Sequence, residues 1–584
     1  MKKSIISGSL AVLGLLTLAG CNDFLDDNRY PKTEIVNTPE YWSNSSNVQL
    51  QVDRFIDEFS QGYGTGSGGG WFYFKVLSDD QVGSGFEDWA YPTAVPNVSD
   101  WSYTNVRGAN YIISGVQTAS LDQLDRLNFL GIARLIRAYS YYQLVRKFGD
   151  VVWESSVVDP GDKEILYGPR TKRDIVMDSV FADLDYAIAN IQQESSKTTW
   201  SKDYARAIKS EVALYEGTFC RYRTAADNGE APNEDRAKKY LKESADVSKV
   251  LLDKYGFCDD YHSIYNSLWT ADPAKGITGL SDNPELIFGR RYDATNGRHS
   301  TISYTASSTT TSGMSLDAFN AFLFKDGKPL ATTSENKTLV GVPTAEDTTA
   351  NIKASLSIQN LLDVREKRLS IITDPYVYYK GMEWSREGCA GMNSSSGFGI
   401  AKYDNIKLPV GDRTNSANNY TSCPIYWKSY IALNYAEAMA ELGAFDQAAF
   451  DASIKHLYVR AGLDMITGPA YLESINDPER GNVSSLLFEI RRCRRCELMF
   501  DNWIRYWDLV RWHELDRLDS QTHPNILRGA YVANAPVAPA DVDAEGYIRP
   551  YPKANRKYDK KYYLYPIPTG QLELNPDLGK NPGW

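Results

Sequence analysis

Histidine and cysteine are scarce in this chain, five of the first and seven of the second in 584 residues. Apart from Cys21, the cysteines (Cys220, Cys258, Cys389, Cys423, Cys493 and Cys496) are too dispersed for a disulfide framework. One C-x-x-C occurs, at Cys493 and Cys496, without a second such pair or an H-x-x-x-H to complete four zinc ligands. It lies deep inside a helical pattern, whereas a thioredoxin-like pair opens a helix after a strand. We therefore expect two small residues on a packed helix, with no metal, cofactor or redox role. Positive charge is also in deficit: the net charge is −11, and an acidic surface repels phosphate backbones, which excludes nucleic acid as a partner. The chain lacks a nucleophile elbow, an H-E-x-x-H and a phosphate loop. GTGSGG at residues 64–69 fits G-x-G-x-x-G, but aromatic WFYF follows it where a dinucleotide loop needs a helix, so a plain loop is expected. Among 74 acidic residues nothing singles out a catalytic carboxylate pair.

Long apolar runs are missing everywhere except at the start, MKKSIISGSLAVLGLLTLAGC. Lys2 and Lys3 precede a stretch from Ile5 to Leu18 that is interrupted by Ser7, Gly8, Ser9, Gly14 and Thr17. That is weak for a membrane span and fits a signal peptide over 1–20. Leu18-Ala19-Gly20-Cys21 resembles a bacterial lipoprotein box, which makes Cys21 the lipidated residue. More than one acyl chain there would give stable anchoring. Asp23, Asp26 and Asp27 follow, resembling an acidic surface-export signal of Bacteroidota lipoproteins.

What the sequence has in quantity is helical periodicity and aromatic residues. In LNFLGIARLIRAYSYYQLVRKFGD, Ile132, Leu135, Ile136, Tyr139 and Tyr142 mark one face, Arg134, Arg137 and Arg146 lie mostly off it, and Gly149 is the stop. Further helices are expected over 171–191, 203–222, 237–255 and 424–443, and from near Val483 through RRCRRCELMFDNWIRYWDLVRW (491–512). Ala and Gly alternate with Tyr and Leu at helical spacing, as in stacked antiparallel helix pairs. The fold class is thus mostly α: a tetratricopeptide-like helical-pair scaffold with irregular loop and short-strand insertions. The organisation expected is a signal peptide at 1–20, a lipidated linker at 21–45, a helical region at 46–255, a loop-rich insertion at 256–423, and a C-terminal region at 424–584 that completes the scaffold. Tyr (39) and Trp (13) are abundant and cluster in apparent loops such as FEDWAY (86–91) and YHSIYNSLW (261–269). An apolar ring with a polar handle suits a half-wet recognition surface, and sugars need that combination. The candidate contacts are Trp89 and Tyr91 as stacking platforms and Asp80 as hydroxyl acceptor, with Trp269, Tyr292 and Arg298 from the insertion.

RRCRRCELMFDNWIRYWDLVRW resembles the late helix-turn-helix of the SusD/RagB family, roughly ERR-x-ELAFEG-x-RYWDLVRW. Arg495, Glu497, Leu498, Phe500, Arg505, Tyr506, Trp507, Asp508, Leu509, Arg511 and Trp512 match. Cys493 near the usual Glu, Asp501 for Glu, Asn502 for Gly and one extra residue before Arg505 depart from it. YLYPIPTGQLELNPDLGKNPGW (563–584) resembles the family's terminus, with Leu572 at an Ile position and Lys580 for Gln. The resemblance implies four tetratricopeptide-like pairs, no catalysis, an oligosaccharide ligand, a SusC-like TonB-dependent transporter as partner, and an outer-membrane, surface-exposed location. A glycoside hydrolase and a peptide-binding adaptor are the competing readings. If Cys21 carries the anchor, Cys21→Ala releases or mislocalises the protein. Fractionation together with surface protease access checks this, and unchanged membrane retention would refute it.

Overall fold

The computed structural model describes residues 38–65, 78–83, 93–159, 161–306, 312–338, 340–346, 354–377, 394–533, 541–551 and 554–584, with residues 379, 382, 386 and 535. Cys21 lies outside them.

Eight helices build the scaffold: α1 (Thr104–Thr118), α2 (Gln123–Phe148), α3 (Arg173–Asn190), α4 (Lys202–Tyr222), α5 (Glu234–Lys254), α6 (Lys428–Glu441), α7 (Ser485–Glu497) and α8 (Ile504–Arg511). Four of them, α2, α4, α5 and α7, start at side chains that take up free backbone N–H groups. Asp122 accepts from Leu124 N, Ser201 from Tyr204 N, Asn233 from Arg236 N and Ser484 from Leu487 N. Gly149 ends α2 at φ +73°, as expected from sequence. Successive helices pack on one another from α1 to α5, α6 covers α4 and α5, α7 covers α6, and α8 returns against α4. This is a mostly α stack in which each helix packs on at least one other. Small residues let the axes approach: a Cβ on Gly217 of α4 would lie 2.8 Å from Leu241 Cγ and 3.0 Å from Leu241 N of α5.

Two expected spans are corrected. The helix expected over 424–443 begins only at Lys428, because residues 423–427, rich in aromatic and β-branched side chains, form a buried strand. With four strands named in order, β1 (Gln81–Gly83), β2 (Leu286–Arg290), β3 (Ser312–Met314) and β4 (Cys423–Trp427), β4 pairs antiparallel with β2, and β1 with β3. The β2–β4 pair ties together the two ends of the loop-rich stretch. The helix expected to run through 491–512 breaks after Glu497 and resumes at Ile504. Phe500 (φ +69°) and Asn502 (φ +46°) turn the chain there.

Buried ion pairs join the helices. Arg137 of α2 donates to both oxygens of Asp183 of α3 at 2.7 and 2.9 Å. Arg173 of α3 clasps Glu216 of α4 at 3.0 and 2.5 Å. Arg511 of α8 clasps Glu437 of α6 at 2.6 and 2.7 Å, and Arg494 of α7 reaches Asp508 of α8 at 2.8 Å. Arg137, read from sequence as off the apolar face, is therefore inside, because α2 is covered by α1 on one side and α3 on the other. No helix among the described residues is long and apolar enough to cross a membrane.

Acid should dismantle this scaffold in a defined window. Burial alone would raise the Glu437 carboxyl, but Arg511 outweighs it and holds the group at about 2, against a usual 4.5. A depressed carboxylate contributes its stability in full above pH 4.5 and loses it as pH falls towards 2, since the unfolded chain takes up the proton first. Urea midpoints should fall steadily from pH 4.5 to pH 2.5; a flat profile would contradict the assignment.

Candidate functional site

A cleft of about 920 Å³ lies between the helical stack and residues 58–61 and 98–105. Several helices offer one face. On α2, Tyr139, Tyr142, Gln143 and Arg146 recur at intervals of three and four residues and so share a side. Glu211 and Tyr215 do the same on α4, Tyr430 and Asn434 on α6, and Ile504, Trp507 and Arg511 on α8. Tyr426 of β4, Trp503 and Tyr565 complete the wall.

The rings form a connected belt. Tyr142 meets Tyr215 edge-on at 5.6 Å between centroids, Tyr215 meets Trp507 at 6.2 Å, and Trp507 stacks on Tyr565 at 6.2 Å. Tyr426 stacks on Tyr430 at 5.7 Å, and Phe59 lies 5.3 Å from the half-buried Tyr139. The Arg146 guanidinium sits 4.2 Å from the Trp507 ring and 5.2 Å from the Tyr142 ring. It donates to Gln143 Oε1 at 2.5 Å and faces Glu211 Oε1 at 3.7 Å. Glu211 accepts from the Tyr426 hydroxyl at 2.5 Å, and Lys147 is paired with Asp100 at 2.6 Å. Burial pushes the phenols of Tyr139, Tyr142, Tyr215, Tyr426 and Tyr430 up, so all stay protonated at neutral pH, with the Tyr426 hydroxyl already donating to Glu211. Flat faces bordered by neutral donors suit a ligand with apolar ring faces and many oxygen acceptors. Of the carboxylates in the lining, Asp100, Glu211 and Asp508 each have a cationic partner.

The residues expected from sequence are placed elsewhere. Trp89 and Tyr91 lie outside the described residues. Asp80 is 2% exposed and accepts from Arg495 Nε at 2.8 Å, while Asp79 accepts from Arg505 at 2.8 and 2.6 Å. Burial raises the Asp80 carboxyl; Asp79, also opposed by burial, is pulled below the usual carboxylate range by Arg495 and Arg505. The expectation of an exposed hydroxyl acceptor at Asp80 is corrected: its countercharge comes from α7, 415 residues away, and it secures β1 to the scaffold. Tyr292 is corrected too. It is 4% exposed, donates to the Tyr63 carbonyl, stacks on Tyr63 and meets His299 edge-on in the core. Trp269 and Arg298 are half-buried near a small apolar cluster of Ile277, Ile302 and Leu408, and neither lines the cleft. There Leu268, next to Trp269, packs on the cluster, and Arg298 lies over Tyr420 at 5.3 Å and donates to Asn418 O at 3.0 Å.

The cleft was missed because its residues sit on helices rather than loops. One signal was present: Tyr139, Tyr142 and Arg146 share a face where a purely structural helix would carry aliphatic residues, and Arg146 belongs to that face instead of lying off it. The C-x-x-C is packed as expected. Cys493 and Cys496 are 2% and 0% exposed, and burial pushes both thiols up, Cys493 to about 11. Of the flanking arginines, Arg491 pairs with Glu441 and Glu514, Arg492 with Asp477 and Glu489, and Arg494 with Asp508.

Residues 284–584 match the model of the SusD family. A SusD-like protein of Bacteroides ovatus is 28% identical over 166 residues, 25% of this chain and 30% of that protein. A SusD-like protein of Formosa agariphila is 24% identical over 303 residues, 50% of this chain and 54% of that one. The matches therefore span about a third and about half of these relatives' lengths. The crystal structure of a SusD-like carbohydrate binding protein from Bacteroides fragilis superposes with a TM-score of 0.66 at 18% identity, over 92% of this chain and 100% of that one. At that identity the likeness is one of fold.

Asp80→Asn should leave Arg495 partly uncompensated in a buried site. Asp79 and Asp317 still answer Arg495 at 3.3 and 2.8 Å, so the expected loss is about 1–3 kcal/mol of unfolding free energy, read from denaturant curves. A variant of wild-type stability would return Asp80 to the list of surface residues.

Proposed function

We propose, because the chain belongs to the SusD family, that it is a surface lipoprotein that binds an oligosaccharide and hands it to a SusC-like TonB-dependent transporter. The family match carries this reading, and the tyrosine-lined cleft supports it with stacking faces and neutral donors suited to sugar rings. Anchoring is assigned to Cys21 at the outer membrane, with the rest of the chain outside the bilayer. Trp269 and Arg298 are proposed as outer contacts, apart from the cleft lining.

Binding without turnover is part of the proposal. In the cleft Glu211 is held by Arg146 and by the Tyr426 hydroxyl, Asp100 by Lys147, and Asp508 by Arg494 and Arg511. Each of these carboxylates is already engaged by side chains of the protein, and none is left free to approach a glycosidic oxygen. Purified protein incubated with a glycan that it binds should leave the number of reducing ends unchanged over hours. New reducing ends, lost on substitution of Glu211, would show a hydrolase instead.

A further inference from the structure

A chain of buried charges runs along α7, and it holds more carboxylates than cations. Arg460 lies between Glu285 and Glu497, Arg368 between Glu497 and Glu366, and Arg492 between Glu489 and Asp477. Three guanidinium groups thus answer five carboxylates, none of them more than 4% exposed. Arg365, the next cation, is turned to the Phe322 carbonyl at 2.7 Å and the Phe324 ring at 3.8 Å instead. An excess of negative charge buried in this way is relieved by taking up a proton.

Hydrogen bonds decide which carboxyl takes it. Glu285 also accepts from Cys258 N and the Ser429 hydroxyl, Glu366 from Leu323 N and Asp477 from Glu479 N, while Glu497 has an arginine on each oxygen. Among the described residues Glu489 accepts from Arg492 alone, Nε at 2.9 Å and Nη2 at 3.3 Å, and that same Nη2 is bonded to Asp477. The other charge that faces it is Glu366, at the head of the helix Lys367–Ile372. Tyr458, from the helix Lys455–Arg460, donates to the Glu489 carbonyl at 3.4 Å and is kept neutral by burial. The helix Leu316–Ala321 offers the Ala321 carbonyl, which accepts from Arg492 at 3.2 Å. Burial, helped by the Asp477 and Glu366 charges, outweighs Arg492 and pushes the Glu489 carboxyl up to about 7. We propose that Glu489 is a proton-operated latch at the entry to α7. Neutral, it leaves Arg492 to Asp477, and the 3-10 turn Pro478–Arg480, which Asp477 caps, stays fastened to the helix. Ionised, it competes for Nη2 and the turn loosens.

A carboxyl raised above its unfolded value of 4.5 gives stability that is complete below pH 4.5 and is lost as pH rises through 7. The Glu437 window lies below 4.5 and does not overlap. Hydrogen-exchange protection factors of residues 479–484, corrected for the intrinsic rate at each pH, test the latch from pH 5 to pH 8 in the full chain and in Glu489→Gln. In the wild type they should fall by up to roughly tenfold per pH unit between 5 and 7 and level off above that. In Glu489→Gln they should stay level and exceed the wild-type values at pH 8. A fall of equal size in both chains, or none in the wild type, overturns the latch. Should Glu489→Gln fail to fold, Asp477→Asn decides the matter. It leaves Arg492 to Glu489, so the fall should move to lower pH, and a fall that stays in place overturns the proposal.

Discussion

Buried arginine–carboxylate pairs hold the helical stack in one arrangement, and the cleft depends on them. Helices lined with Ala, Gly and Tyr can slide on one another with little loss of apolar contact, because small side chains make shallow ridges. A bidentate guanidinium–carboxylate pair cannot slide. Arg137 with Asp183 sets α2 against α3, Arg173 with Glu216 sets α3 against α4, and Arg511 with Glu437 sets α8 against α6. Such pairs add little net free energy once desolvation is counted, but any shifted register would strand a charge in the core, a penalty of several kcal/mol. They act as specificity devices more than as glue.

That fixed register is what allows five tyrosines from four elements to face one space. Tyr139 and Tyr142 come from α2, Tyr215 from α4, Tyr426 from β4 and Tyr430 from α6. A loop presenting the same rings would pay the entropy of ordering them on binding. Here the helices hold the backbone, and Arg146, between Trp507 and Tyr142, holds the rings. The α2 helix serves both purposes: Arg137 binds the scaffold on one side while Tyr139, Tyr142 and Arg146 face the cleft on another.

How much of this was legible in the sequence follows from the range of each interaction. Helix boundaries depend on caps and periodicity a few residues apart, so α2 to α5 were readable to within a few residues, Gly149 included. The strand at 423–427 was read as helix because its partner, β2, lies more than 130 residues earlier. Asp80 looked like a surface acid for the same reason: its arginine is on α7, and a doublet of aspartates before a short strand carries no local mark of burial. Tyr292 lay among Gly, Thr and Asn and was read as exposed, though its hydroxyl and ring are enclosed by Tyr63 and His299. The family resemblance was legible in the α7–α8 segment because there the ion-pair arginines lie close together in sequence.

The turn between α7 and α8 shows how the insertion reaches the cleft. Phe500 adopts φ +69°, which a bulky residue avoids, and Asn502 φ +46°, which Asn tolerates better than most. Surrounding bonds from the insertion hold this conformation: Tyr261 donates to Glu497 O at 2.8 Å, Tyr403 to Phe500 O at 2.9 Å, and Lys402 to Met499 O at 2.7 Å and Asp501 at 2.8 Å. Lys402 is wholly buried, so its charge depends on Asp501 and on the Tyr265 ring 4.0 Å away. Asn502, Trp503 and Ile504, the next residues along, form part of the cleft wall. The insertion therefore shapes the recess without lining it: by over-determining a strained turn, it fixes where Trp503 and the first residues of α8 stand. A helix running unbroken through 498–503 would carry Trp507 to another side of α4 and open the aromatic belt, so the extra residue before Arg505 and the Asn at 502 bear on the site through geometry alone.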